Sequence, residues 1–184
     1  MIFRNARQAV HDAFATNVTT PDPDARGGTR YNSNAKNAHD AEAGLIIRAA
    51  LEQKPHLRAA CVYINAPDGF ATDGDIAALK SRLWRDVMRK HKEELSLLDQ
   101  GRIVAMLDYL IVDFRTRTHN PSSGGRYRPL SLAKIVRARE IEITGLTADI
   151  LGILQKYDSQ SLQPVWKVVN EQREKHDTSH PKTA

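Results

Sequence analysis

Apolar residues recur every three or four positions along most of this chain, the spacing of helices that each bury one face. Phe3, Ala6, Val10 and Phe14 predict a short amphipathic helix over residues 2–14. From about Asn17 to Asn37 the chain is rich in Pro, Gly, Asn, Thr and Asp and nearly free of large apolar side chains. That stretch reads as a flexible linker or mobile arm, from which the first helix can dock on the domain, on a second copy or on a partner. Asp40 is placed to cap a helix reaching about Gln53, with Ala41, Leu45, Ala49 and Leu51 facing inward. Pro55 suits the first turn of the next helix, whose stripe is Leu57, Cys61 and Ile64. Thr72 and Asp75 form a capping-box pattern that opens a helix to about Lys92, with Ile76, Leu79, Leu83 and Val87 on its apolar face.

Ser96 and Asp99 repeat that start ahead of the most apolar segment, roughly Leu97 to Thr116. Ile103, Leu107, Leu110, Ile111 and Phe114 cover more than one of its faces, which predicts a central helix. A loop of turn residues follows, HNPSSGGRYRP, and then a helix capped by Ser131. Thr147 starts a short helix with Ile150, Leu151 and Leu154, and Pro164 places the start of the last helix near Ser161. Leu162, Val165, Trp166 and Val169 then face inward at i, i+3, i+4, i+7 spacing, with Trp166 expected in the core. Two short stretches compete as strands, Ala59 to Asn65 and Glu140 to Thr144, although an isolated strand has nothing to pair with. The expected fold is all-α, a multi-helix domain over residues 39–176. It is preceded by an N-terminal helix and linker, 1–38, and followed by a frayed tail, 177–184.

Charge changes this picture more than length does. The chain has 184 residues and a formal net charge of +5. From Arg115 to Arg139 there are seven basic residues and no acid: Arg115, Arg117, Arg126, Arg128, Lys134, Arg137 and Arg139. That segment carries +7, so the remainder sums to 5 − 7 = −2 and the basic character is concentrated. A run of this kind is either a solvated surface or a binding region for a polyanion, and nucleic acid is the commonest polyanion in a cell. Arginine predominates in it, and the guanidinium fork suits phosphate and guanine edges.

The segment Leu146–Glu171 matches part of a helix-turn-helix template. Counted from Ala148, Leu151 and the small Gly152 fall at the helix crossing, Tyr157 at the turn, and Leu162 and Val165 on the inner side of the second helix. Gln155 and Lys156 do not fit, and two plainly packed helices are an equal alternative. In a recognition helix, Gln160, Gln163 and Lys167 would reach base edges or phosphate.

Catalytic patterns are weak. The seven histidines are scattered, no Gly-rich loop follows a strand, and Asp108 and Asp113 are five residues apart on one helix. The single cysteine, Cys61, excludes an internal disulfide and a Cys-cluster zinc site. No cofactor, metal or active site is expected, nor a membrane span, and the expected location is the cytoplasm.

Two patches resemble the phage Q-type transcription antiterminators, the lambdoid late-gene regulators. HKEELSLLDQGRIVAMLDYL, at His91–Leu110, is similar to a polar start followed by that family's long apolar helix, and LQPVWKVV, at Leu162–Val169, resembles the opening of its last helix. Lambda-type members insert a Cys-rich zinc loop between these. Here THNPSSGGRYRP stands in its place, so the likeness is to the AlpA-like branch without the metal module. The resemblance implies a protein that binds double-stranded DNA near a promoter, loads onto paused RNA polymerase and permits terminator read-through. It implies no active site; the zinc loop's DNA contacts do not carry over, and the Arg-rich character of the connection in its place points to that connection as the source of phosphate contacts. A helix-turn-helix repressor or activator and a non-enzymatic protein-interaction module are the alternatives.

Overall fold

The computed structural model describes residues 5–16, 33–95, 100–119, 134 and 140–179. The regular elements among the described residues are all helices: α1 Ala6–Thr16, α2 Ser33–Leu51, α3 Pro55–Asn65, α4 Asp73–Lys90, α5 Lys92–Leu95, α6 Gln100–His119 and α7 Glu140–Ser179. The Ser96 and Asp99 start and the Ser131 cap lie outside the described residues, as do residues 17–32 of the linker and 180–184 of the tail; the remaining linker residues, 33–37, are instead the first turn of α2, and tail residues 177–179 are the end of α7.

Both candidate strands are helical. Residues 59–65 belong to α3, which packs against α1, α2, α4, α6 and α7. Packed in this way, α3 buries Ala59, Ala60, Cys61, Val62, Ile64 and Asn65, and so wide a buried face has the same unbroken apolar run as a buried strand. Residues 140–144 form the first turns of α7.

The largest correction concerns α7. The two short helices and the turn expected between Leu146 and Glu171 are one uninterrupted helix of 40 residues, so the helix-turn-helix arrangement does not occur there. Its buried side is a continuous stripe: Leu146, Ile150, Leu154, Tyr157, Ser161, Val165 and Val169. Asp158 and Ser161 interrupt the hydrophobicity of that stripe but not its periodicity, because both are buried in hydrogen bonds. Pro164 removes one rung of the helix ladder. The carbonyl it leaves without that donor is that of Gln160; the next one, of Ser161, accepts from the Gln53 side chain just after α2 at 2.8 Å. Gly152 is not a crossing-point glycine either, since a Cβ there would meet nothing within 4 Å.

Two further assignments shift. α2 begins at Ser33, so Asp40 lies inside it rather than capping it. Its buried face is Ala43, Ile46 and Ala50, while Leu45 and Leu51 are each 43% exposed. Small side chains let α2 approach its neighbours closely, and that outweighs the greater hydrophobicity of the leucine stripe. α6 is also less central than its composition suggests: Ile103, Met106, Leu107, Leu110 and Ile111 are buried, but Val104 and Val112 are exposed. The centre is α3 with α7.

The Thr72 capping box is present. Thr72 Oγ1 accepts from the Asp75 N–H, and Asp75 Oδ2 accepts from the Thr72 N–H, both at 3.1 Å. Gly69, at φ +91°, supplies the left-handed residue of the turn that leads the chain from α3 into this cap. Of the docking places open to it, α1 takes the domain itself: Ala6, Ala9, Val10, Ala13 and Phe14 are buried against α2, α3 and α7.

Candidate nucleic-acid interface

At 1.5 Å per residue α7 is about 60 Å long, and one side of it faces solvent. From Gln155 to Lys167 the exposed residues are Gln155, Lys156, Ser159, Gln160, Gln163, Pro164, Trp166 and Lys167, with no acid among them. The one acid in that span, Asp158, points the other way into the core. Gln160, Gln163 and Lys167 therefore share one polar side, as expected, although on the flank of a long helix rather than at the start of a short one. Lys167 stands 4.0 Å from Glu171, a long contact between two exposed side chains.

Trp166 is not in the core. It is 38% exposed, and the Arg173 guanidinium lies 5.0 Å from its ring centroid. The i, i+4 pair Leu162/Trp166 sits at the edge of the stripe. The residues that seal it are Val165 and Val169, because α2 approaches on their side. An exposed aromatic ring braced by a cation is a surface suited to contact with a partner.

The C-terminal turns of α6 lie beside this helix. Phe114, Arg117 and Thr118 form one wall of a groove of about 400 Å³, and Ala148, Leu151, Gly152 and Gln155 of α7 form the other. Arg117 and the acid-free face of α7 are thereby neighbours, which the sequence separates by some forty positions.

The basic run divides in space. Arg115 pairs with Asp68 and stacks 4.8 Å from the Tyr63 centroid. Arg117 pairs with buried Asp113 at 2.8 Å. Sequence proximity concealed these acids, since Asp68 comes from the turn after α3 and Asp113 lies one helical turn back. Lys134 is exposed. Arg126, Arg128, Arg137 and Arg139 lie outside the described residues.

Several basic residues on the outer face of α4 are paired with acids. Lys80 meets Asp108 of α6 at 2.7 Å, and Lys90 meets Asp149 of α7 at 2.8 Å. Arg82 and Arg89 both engage Asp86, at 3.1 and 3.3 Å. Burial alone would raise the Asp86 carboxyl, but the Tyr157 hydroxyl and the charges of Arg82 and Arg89 together hold it below the usual carboxylate value. Burial, reinforced by the hydrogen bond to Asp86, pushes the Tyr157 phenol up to about 12. Next to it, burial and then the charge of Arg82 lower His56, whose ring stands edge-on to Tyr157 at 5.4 Å. This cluster fastens α3, α4 and α7 together.

Burial pushes the Cys61 thiol up to about 12, which leaves no reactive thiolate near neutrality. Among the described residues no group of three or more His, Cys, Asp or Glu is placed to hold a metal, and no helix is long and apolar enough to cross a membrane.

Comparison with protein families, with curated proteins and with solved structures finds no match to this chain.

Proposed function

We propose that this chain binds double-stranded DNA through the solvent side of α7 and the Arg-rich connection before it, and acts as a transcription antiterminator of the Q kind. It would engage a promoter-proximal element, load onto paused RNA polymerase and permit terminator read-through. The observation that carries the DNA-binding part is the acid-free, amide- and lysine-bearing face from Gln155 to Lys167, lying beside Arg117. Amide side chains suit adenine edges, and Lys and Arg suit phosphate and guanine. The antitermination part rests on the two resembling patches at His91–Leu110 and Leu162–Val169.

Duplex affinity measured against salt tests the first part. Replacing Lys156 and Lys167 with Ala is expected to lower the log–log salt slope by about 0.9 per lost phosphate contact. Substituting Arg126, Arg128 and Arg137 with Ala should lower it further. No affinity at low salt would overturn the reading. Co-purification with RNA polymerase, followed by a terminator read-through assay, tests the second part; a repressor would bind DNA without lengthening transcripts. The helix-turn-helix alternative lacks its turn within residues 148–171.

A protein-interaction module remains a second reading, favoured by an apolar groove of about 380 Å³ between α4 and α6, walled by Trp84, Val104 and Leu107.

A further inference from the structure

A pocket of about 460 Å³ opens on the other side of the last turn of α6, against α1 and the end of α3. His11 reaches it from α1, Tyr63 from α3, and Arg115 and His119 from α6. The two imidazole centroids are 6.3 Å apart. His119 Nε2 lies 2.6 Å from the Ile64 carbonyl oxygen, which can only accept, so Nε2 carries a proton and the ring is held in place. His11 Nδ1 lies 3.3 Å from Asp12 Oδ1, an exposed contact that leaves Nε2 for a ligand. The guanidinium of Arg115 is steadied over Tyr63, and its acidic partner Asp68 is 94% exposed. Arg115 itself is only 22% exposed, and a carboxylate partner as open to solvent as Asp68 is readily exchanged.

We propose that this pocket binds a phosphate group, held by His11, His119 and Arg115, with the phosphate taking the place of Asp68 on Arg115. Arginine binds phosphate through two parallel N–H donors, and protonated imidazoles add charge-assisted bonds. The other charged groups nearby are Arg7, which is directed to Asp158 at 2.6 Å, and Asp12, which faces His11. Neither blocks the three ligating groups. The site stands whether or not α7 meets DNA. Its ligand is either a free nucleotide or a phosphate of a nucleic-acid strand.

Histidine C2–H resonances of the full chain, followed by NMR at about pH 6, test this with inorganic phosphate, AMP and a short single-stranded oligonucleotide as probes. Saturable shifts of His11 and His119 are expected. Shifts with phosphate and AMP identify a free nucleotide, and shifts with the oligonucleotide alone identify a strand phosphate. R115Q and H11Q should each weaken binding about tenfold. D68N removes the competing carboxylate from an exposed position and should tighten binding about threefold. The proposal is overturned if no probe produces saturable shifts, if R115Q and H11Q bind as the parent does, or if D68N fails to tighten binding.

Discussion

Two cores meet along α3 and α7, and they are built differently. The first joins α3, α4, α5, α6 and the first half of α7, with Leu79, Leu83, Leu110, Ile150 and Leu154 at its middle. The second joins α1, α2, α3 and the second half of α7. Six of its thirteen buried residues are alanine, against two of sixteen in the first. Bulk aliphatic side chains fill the space between helices in the first core. In the second, small side chains bring helix backbones close, and only Phe14, Ile46 and a few valines provide volume. Between them lies a polar junction in which Asn65 and Asp158 are buried and Arg7 is partly exposed: Arg7 donates to Asn65 at 2.8 Å and to Asp158 at 2.6 Å, and Asn65 donates to Asp158 at 2.9 Å. One stripe of α7 therefore serves two packing regimes, with its polar residues at the changeover.

If that contrast is right, the two cores fail to opposite kinds of substitution. The largest effect is expected from Leu110→Ala in the first core, a loss of about 3–5 kcal/mol in urea unfolding, because the residue is fully buried among side chains that cannot collapse around the cavity. A loss below about 1 kcal/mol would show a looser core than described. Next is Arg7→Ala, which leaves Asp158, 4% exposed, without its cation; about 3 kcal/mol is expected. Retained stability in that variant would mean that the junction does not tie α1 to the domain.

Overpacking probes the second core. Ala50→Leu or Ala13→Leu should destabilise by about 1–3 kcal/mol, since both sites are fully buried at close helix approaches. A neutral result at both would remove the distinction between the cores. The smallest effect is a gain. Gly152→Ala should stabilise by about 0.5–1 kcal/mol, because the site is an exposed helix interior with free space.

Acid titration separates the regions in another way. Asp75 and Asp86, both beside the first core, are held below the usual 3.8. For Asp75, burial alone would raise the carboxyl, but its bonds to Thr72 and Arg58 outweigh that. A carboxylate with a lowered folded value binds fewer protons folded than unfolded. Its contribution is therefore complete above that range and is lost as the pH falls through the folded value. His56, lowered from 6.5, acts in the same direction: the fold favours neutral imidazole, so stability declines as the pH falls below about 6.5. Unfolding midpoints from pH 8 down to about 3 should fall in two stages, and Asp86→Asn should reduce the acid stage.

Much of the helical organisation was legible. The Thr72–Asp75 box, the Leu79–Leu83–Val87 stripe and the inward residues of α6 are local patterns, and local patterns survive folding. The strand reading of residues 59–65 failed because α3 buries four residues in succession, Ala59 to Val62, and so wide a buried face blurs the helical period. The turn predicted near Ser161 failed because Asp158 and Ser161 look like surface residues until Arg7 and Asn65, far away in sequence, are seen to satisfy them. The candidate interface was legible in its chemistry at Gln160, Gln163 and Lys167. Its extension to Gln155 and Lys156 was not, because it required one helix where two were expected.

Local pattern was enough for the helical class seen in the described residues, the phase of most apolar stripes and the concentration of basic residues from Arg115 to Arg139. All of these follow from spacing and charge along a single strand of residues. Only the tertiary structure decided which stripes are truly inside, that α7 runs unbroken through Pro164, and that Arg115 and Arg117 meet acids at Asp68 and Asp113. Burial and pairing depend on what approaches from elsewhere in the chain. A polar residue that reads as a boundary in sequence becomes core once a distant partner completes its hydrogen bonds.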